Sequence, residues 1–367
     1  MSAAATVLPA RQLGWILPPV ALAAFALVVG AVVMASGDTL GFDFLAYHQA
    51  AGRVLEGERL YDPSVEQTGG FGLFYYPPPF VLPLLPLALL DGGTATIVWL
   101  GLSIGAFFAA VALMPVGSTV RWMVVLLAAQ MWPVAYTFKL GQVGPILMLA
   151  FVIGWRWLND PVRLGGSAAM GALVKLQPGL ILGWAALTGR WRAVGVGIAI
   201  GAVATLVATA VVGMGAWFDY VVLLRQVSDP ITTPHNFTPG AIAFQQGASP
   251  TVGAAVQFAV TIAVLLAVVA STRWVTPDSS FLVAVVASQL LSPVLWDHYA
   301  MLLLLPVAWL LERRHWWALL VPLGTSIALV AVTPPFVYPL LFGVLLLGLM
   351  AAGRSEHRWS ARRSSET

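Results

Sequence analysis

The stretch GFDFLAYHQAAGRVLEGERLYDP, residues 41–63, sets one carboxylate, Asp43, between Phe42 and Phe44. Apolar neighbours disfavour the ionised form, so this aspartate is expected to keep its proton to higher pH than usual, which suits a general base. An aspartate ahead of a helical run also caps it, a role worth about 1 kcal/mol, and the two roles are compatible. Only two of the eighteen basic side chains are lysines, Lys139 in KLGQ and Lys175 in KLQP. Each suits a helix C-terminus, where the macrodipole favours a cation. Each can equally anchor a phosphate, a task open also to Arg53, Arg59 and Arg225. Asp297 and His298 adjoin in SPVLWDHY, just after Pro293. They either tie off a broken helix by hydrogen bonding or bind a sugar hydroxyl or a phosphate. With Asp43 they would offer a divalent metal oxygen and nitrogen ligands, but no tight spacing motif favours a metal. The amides of Gln142, Gln177 and Asn236 suit sugar hydroxyls or helix packing. Tyr47 and Tyr76 join the candidate binding residues, although YYPPP also reads as an aromatic belt with a helix breaker. Asn236-Phe237-Thr238 fits a glycosylation sequon, a weak pattern given no weight here.

These residues need elements to hold them, and the composition says which kind. The chain has 367 residues, of which 59% are hydrophobic and 9% charged. Its mean hydropathy is +0.88. A soluble domain carries about 25% charged residues, so the expected class is an all-α polytopic membrane protein. The alternating pattern of an outer-membrane barrel is missing. There is no cysteine, which excludes disulfides, a thiol nucleophile and thiolate metal sites.

Apolar runs fall at 14–35, 94–114, 122–138, 143–158, 166–188, 193–213, 250–270, 279–292, 299–311, 316–332 and 336–352. The first follows Arg11 and reads as a retained signal-anchor. A lysine at mid-bilayer costs about 2.5–3.5 kcal/mol, so the run holding Lys175 is expected to split into two short helices with Lys175 at their tip. That gives about twelve transmembrane helices in one integral membrane domain, 1–367. The first outer loop, 36–74, carries a helix with Phe44, Tyr47, Ala51, Val54 and Leu55 on its apolar face, and it is expected to lie along the membrane surface. Residues 74–90, with five prolines, read as re-entrant or interfacial. A second large outer loop spans 214–250, and a basic, solvated cytoplasmic tail spans 353–367.

Alternating the spans from a cytoplasmic Arg11 puts thirteen basic residues inside. Only five fall outside: Arg53, Arg59, Lys139, Lys175 and Arg225. This bias matches the positive-inside rule, with both termini cytoplasmic. The segments that could do chemistry then all fall on the outer face.

In this order, DFLAYHQAAGRVLEGERLYDP, FYYPPPF, KLGQVGP, GALVKLQPGLIL and SPVLWDHYAMLLLLP resemble glycosyltransferase family 87 of the GT-C membrane superfamily. The resemblance covers residues 35–310. It implies a GT-C-type fold with an outer catalytic cavity and a catalytic aspartate in the first external loop, here Asp43. It also implies a polyprenyl-phosphate-linked sugar donor, usually mannose, and an inverting reaction with no nucleotide sugar. KLQP has Leu176 where the family has a proline, and HNFT stands where an Asn-Gln-Ser type of motif is usual. The expected function is therefore a mannosyltransferase-like, cofactor-free transfer to a lipid or glycan acceptor at the outer face of the plasma membrane. Asp43 would be the base, and Lys139, Lys175, Arg225 or His298 would stabilise the departing phosphate. Arabinofuranose is an alternative donor sugar, and a transporter or lipid flippase is an alternative class. No nucleic-acid partner is expected. Alanine-, valine- and arginine-rich usage suggests a GC-rich bacterial source and a cell-envelope lipoglycan acceptor.

Overall fold

The computed structural model describes residues 10–61, 74–226 and 230–366. Part of the segment expected as the first outer loop, 62–73, and Asp229 in the expected second lie outside the described residues. Among the described residues all regular structure is helical, apart from one isolated bridge between Met131 and Ser326.

The helix α1 (Ala10–Ser36) leads through a tight turn to α2 (Phe42–Leu55), which carries Asp43. Residues 74–90 then form 3-10 turns at Pro78–Leu84 and Leu87–Leu89. Prolines there remove the donors that a regular helix needs, as the sequence predicts. α3 (Gly92–Leu113) starts where the Asp91 side chain accepts the Thr94 amide.

The run 122–138, expected to be one crossing, divides into α4 (Ser118–Gln130) and α5 (Trp132–Leu140). Met131 between them is extended and bridges Ser326, the Trp132 amide donates to the Thr325 carbonyl at 2.8 Å, and Pro133 has no amide hydrogen. The ladder that would have carried α4 onward is therefore diverted. α6 (Gly144–Arg156) leaves α5 at 116°. α7 (Pro161–Val174) and α8 (Leu180–Leu187) flank Lys175, which stands at the break as the cost of burying it predicts.

α9 (Trp191–Val212), α10 (Gly215–Gln226), α11 (Pro239–Gln245), α12 (Pro250–Trp274) and α13 (Pro277–Leu290) follow. A 3-10 turn, Asp297–Leu303, runs into α14 (Leu304–Glu312). The run 316–332 is not a continuous helix. It forms a turn, then α15 (Leu320–Gly324), then a second turn at Ile327–Leu329. α16 (Val337–Glu366) continues well past the last apolar run, so the basic tail is helical up to Glu366.

α1, α3, α9, α12 and α16 have the length and apolarity to cross a membrane, and the bent pair α5–α6 adds a sixth if taken as one span. Their sides expose Leu27, Ile97, Leu206, Phe258 and Leu347, a surface suited to lipid and not to water. This is a multi-pass membrane protein. α13 is different: every residue from Ser279 to Leu290 is buried, and the helix is about 21 Å long, so it is a central post and not a lipid-facing span.

Polar groups gather at two ends. At one end Arg156 donates to the Leu113 carbonyl, Arg190 to the Leu158 carbonyl and Arg313 to Glu356. At the other, α2, the 74–90 turns, the α5–α6 bend, the α7–α8 break and the Asp297 turn come together. α2 buries Phe44, Ala46, Tyr47, Ala50 and Ala51, while Leu55 is 48% exposed. The apolar face of α2 thus meets α3, α5 and the proline turns, so the helix expected along the membrane surface is docked into the protein.

Candidate functional site

Two glycines position the candidate base. Gly41 (φ 73°) is the N-cap of α2, and Gly141 (φ 69°) ends α5, both in the left-handed region. The Gly41 amide donates to the Lys139 carbonyl at 2.8 Å. A Cβ on Gly141 would sit 2.7 Å from that of Phe44, so α2 and the bend approach as closely as they do only because Gly141 lacks one. The Gln142 amide donates back to the Thr137 carbonyl at 3.0 Å, closing the helix end. This delivers the Gln142 side chain to Asp43. Because Gly41 takes the capping position without a side-chain bond, Asp43 is not the N-cap; it sits in the first turn of α2.

Asp43 is half-buried. Its Oδ2 accepts a hydrogen bond from Gln142 Nε2, while Oδ1 carries none among the described residues. Gln142 Oε1 lies 3.1 Å from the Tyr76 hydroxyl and 3.3 Å from that of Tyr47, and the two hydroxyls are 2.5 Å apart. Burial pushes the Asp43 carboxyl above its ordinary range, against a weaker downward pull from His298, the Gln142 bond and Lys175. Aromatic side chains link Asp43, Lys175 and His298: the Tyr76 ring centre lies 5.6 Å from Lys175 Nζ and its hydroxyl 3.1 Å from Gln142, and the His298 ring lies 5.0 Å from that of Tyr299.

Lys175 Nζ donates to the Tyr299 hydroxyl at 2.9 Å. It lies 4.1 Å from the Tyr299 ring centre and 5.6 Å from that of Tyr76. Among the described residues no carboxylate pairs with it, so this half-buried ammonium has aromatic neighbours but no counter-ion. His298 is 6% exposed; among the described residues neither ring nitrogen is hydrogen-bonded, and Nδ1 lies 3.7 Å from Asp297 Oδ1. A buried donor left unbonded costs about 1–3 kcal/mol, which a polar ligand would recover.

The other candidates divide. Asp297 Oδ2 accepts from Trp132 Nε1 at 2.8 Å and Oδ1 from the His298 amide at 2.7 Å, so both oxygens hold the start of the turn. Tyr47 and Tyr76 are 1% and 5% exposed and stand behind Gln142, where they hold the amide and present little surface to a ligand. Gln177 donates to Ser292 at 2.9 Å, joining the two helix breaks. Asn236 is fully buried, donating to the carbonyls of Pro230 and Pro293 and accepting from the amides of Thr238 and Leu295. Its side-chain polar atoms are all engaged by backbone, which makes it a tie between the segment 230–238 and the 293–295 break. Arg53 is likewise bound to the carbonyls of Arg59 and Leu60. Lys139 is half-buried at the α2 junction, and Arg225 is exposed in the last turn of α10; among the described residues neither side chain bonds into the Asp43 cluster. α10 itself does reach the first loop: Tyr220 stacks on Tyr61 at 5.6 Å, and the Tyr61 hydroxyl donates to the Tyr76 carbonyl at 2.7 Å.

Sequence reasoning passed over Trp132, Tyr136 and Tyr299. Trp132 and Tyr136 stack at 4.9 Å, and Tyr136 lies 6.3 Å edge-on to His298. Their four-residue spacing was a usable signal. The role of Tyr299 depends on Lys175, which is distant in sequence.

The sequence model of glycosyltransferase family 87 matches residues 74–295. A polyprenol-phosphate-mannose-dependent alpha-(1-2)-phosphatidylinositol mannoside mannosyltransferase of Mycobacterium tuberculosis is 25% identical over 291 residues, 70% of this chain and 67% of that protein. A second protein of that organism, a polyprenol-phosphate-mannose-dependent alpha-(1-2)-phosphatidylinositol pentamannoside mannosyltransferase, is 28% identical over 271 residues, 67% of this chain and 60% of its own length. The chain thus spans about two thirds of the length of these relatives. No solved structure gives a significant match.

Proposed function

Since the chain belongs to glycosyltransferase family 87, we propose that this membrane glycosyltransferase moves mannose from a polyprenyl-phosphate donor to a lipid-linked acceptor of the phosphatidylinositol-mannoside type. The observation that carries the reading is that Tyr76 and Tyr299 bring three groups together, which among the described residues are a carboxylate with one oxygen unbonded, an ammonium with no paired carboxylate and a buried imidazole with no hydrogen bond.

Asp43 takes the proton of the acceptor hydroxyl through Oδ1. The acceptor oxygen bonds to the anomeric carbon from the face opposite the phosphate, the carbon–phosphate-oxygen bond breaks, and the sugar inverts. The extra negative charge lands on the polyprenyl phosphate, where Lys175 and His298 stabilise it. In this reading, the Lys175 ammonium and a hydrogen bond from His298, whose burial disfavours the imidazolium, meet the charge that a divalent metal would otherwise meet, and no cofactor is bound. General-base action by Asp43 supplies about 10²–10⁴-fold. The single membrane domain faces its site outward across the plasma membrane with both termini cytoplasmic, and broken helix pairs complete crossings beyond the five long helices, to about twelve.

The test is transfer from radiolabelled polyprenyl-phosphate mannose in membranes carrying the protein or its Asp43→Asn variant, with anomer analysis of the product. Label should enter a lipid product with inverted configuration only when Asp43 is intact. Equal transfer by Asp43→Asn would overturn the assignment of the base, and labelling from an arabinofuranose donor alone would overturn the assignment of the sugar.

A further inference from the structure

Resting on the reading of Asp43 as the base, we infer that Gln142 is a positioning residue whose amide, held by Tyr47 and Tyr76, occupies one oxygen of Asp43 and leaves the other to receive the acceptor proton. The sequence offers Gln142 for sugar hydroxyls or for helix packing, but its contacts give it different work. All its bonds run inward: Nε2 to Asp43 Oδ2, and Oε1 to the two tyrosine hydroxyls. The side chain is 8% exposed, so little of it remains for a sugar.

The orientation of that amide follows from a proton count. Three close contacts link the Tyr47 hydroxyl, the Tyr76 hydroxyl and Gln142 Oε1, and two hydroxyl protons serve them. One hydroxyl can donate to the other, which donates on to Oε1. With Oε1 engaged, the NH2 group must face Asp43. Turned over, the amide would set its oxygen against a carboxylate oxygen, and two acceptors would repel. The hydroxyl pair thus fixes the amide, and the amide fixes the carboxylate plane. Gly141, at the bend, fixes where the amide stands. A carboxylate free to rotate would present either oxygen to the acceptor and lose the alignment on which proton transfer depends.

The amide also favours the ionised carboxylate, because it donates to the charged form. The charged and titratable groups that interact electrostatically with Asp43 from the surrounding elements are Tyr47 on its own helix, Tyr76 from the proline turns, Tyr136 from α5, Lys175 from the α7 break, and His298 from the Asp297 turn. None of these bonds the carboxylate directly; among the described residues Gln142 alone does.

The test replaces the amide by a thioether of similar length. Gln142→Met should lower kcat by about ten-fold or more while donor and acceptor KM change less than about three-fold, and the acidic limb of its pH–rate profile should move up by about one unit. A second readout needs no turnover: the infrared carboxyl band lost in Asp43→Asn identifies Asp43, and its titration midpoint should rise in Gln142→Met. Tyr76→Phe, which keeps the ring and its packing, should move the midpoint the same way by less. A large rise in KM with kcat and the midpoint unchanged would overturn the inference and return Gln142 to sugar binding. An unmoved midpoint alone would also overturn it. Absence of sugar transfer by the unmodified protein would sink the functional reading instead, and the infrared result would still decide the role of Gln142.

Discussion

The ammonium of Lys175 lies 4.1 Å from the ring centre of Tyr299 and donates to its hydroxyl at 2.9 Å, with no carboxylate paired to it among the described residues. A purely structural lysine at a helix end would need only solvent and the macrodipole. Here the charge is half-buried between two aromatic rings, an arrangement that still attracts an anion. Replacing it should therefore affect the donor. Lys175→Met is expected to raise the KM for a polyprenyl-phosphate sugar about ten-fold or more, the worth of one charge-assisted hydrogen bond. Thermal stability in detergent should hold, because no ion pair is lost. Steady-state kinetics with the donor varied will decide, and an unchanged donor KM would make Lys175 a helix-end charge only.

Asp43 links activity to pH in a definite direction. Burial raises its folded-state pKa, so the folded protein binds this proton more readily than the unfolded chain does. Above the folded pKa the buried charge opposes folding, and that penalty is relieved as pH falls through it. A base must be ionised, so kcat/KM should fall on acidification with a midpoint above the ordinary aspartate value of about 3.9. Asp43→Asn should abolish turnover yet melt no lower than the unmodified protein at neutral pH. A variant that lost both activity and thermal stability would mean that the carboxylate serves the fold.

Gly141 offers a test of the scaffold. An alanine there must hold φ near 69° and place its Cβ 2.7 Å from that of Phe44. Backbone strain alone costs about 1–2 kcal/mol. The bend would have to move from α2, and Gln142 would move with it. Gly141→Ala should lower the melting temperature and reduce kcat about ten-fold or more, since misplacement of a catalytic group by about 1 Å can cost 10²-fold. Gly101→Ala in α3 is the control: nothing lies within 4 Å of its added Cβ. It should melt at the same temperature or higher with unchanged kinetics. Equal behaviour of the two variants would show that the α2–bend contact does not set the site.

Much of this was legible in the chain, and the parts that were not share a cause. The split at Lys175 and the irregular 74–90 segment follow from local rules, the cost of a buried charge and the lost donors of proline. The docking of α2 and the break at Met131 depend on partners far off in sequence: the first on Gly141, the second on Thr325 and Ser326. Residue types proposed the polar candidates as a group, yet they could not sort them. Asn236 and Gln142 are both amides in segments between helices. Only the contacts show one engaged by backbone carbonyls and amides and the other aimed at Asp43.

Sidedness is the last prediction, and the sequence makes it easy to test because the chain contains no cysteine. The two polar ends differ in kind. One gathers arginines bonded to helix-end carbonyls and to Glu356; the other gathers Asp43, Lys175 and His298. Thirteen basic residues against five predict, by the positive-inside rule, that the first end faces the cytoplasm. Single cysteines at exposed Gln49 on α2, Gln246 after α11 and Asn159 between α6 and α7 probe both ends. A membrane-impermeant maleimide added to intact cells should label the first two, and should reach Asn159→Cys only after permeabilisation. Because a polyprenyl-linked donor presents its sugar on one leaflet, the outcome also fixes which leaflet must supply it. Labelling of position 159 in intact cells with protection of position 49 would invert the orientation and require a donor on the cytoplasmic face.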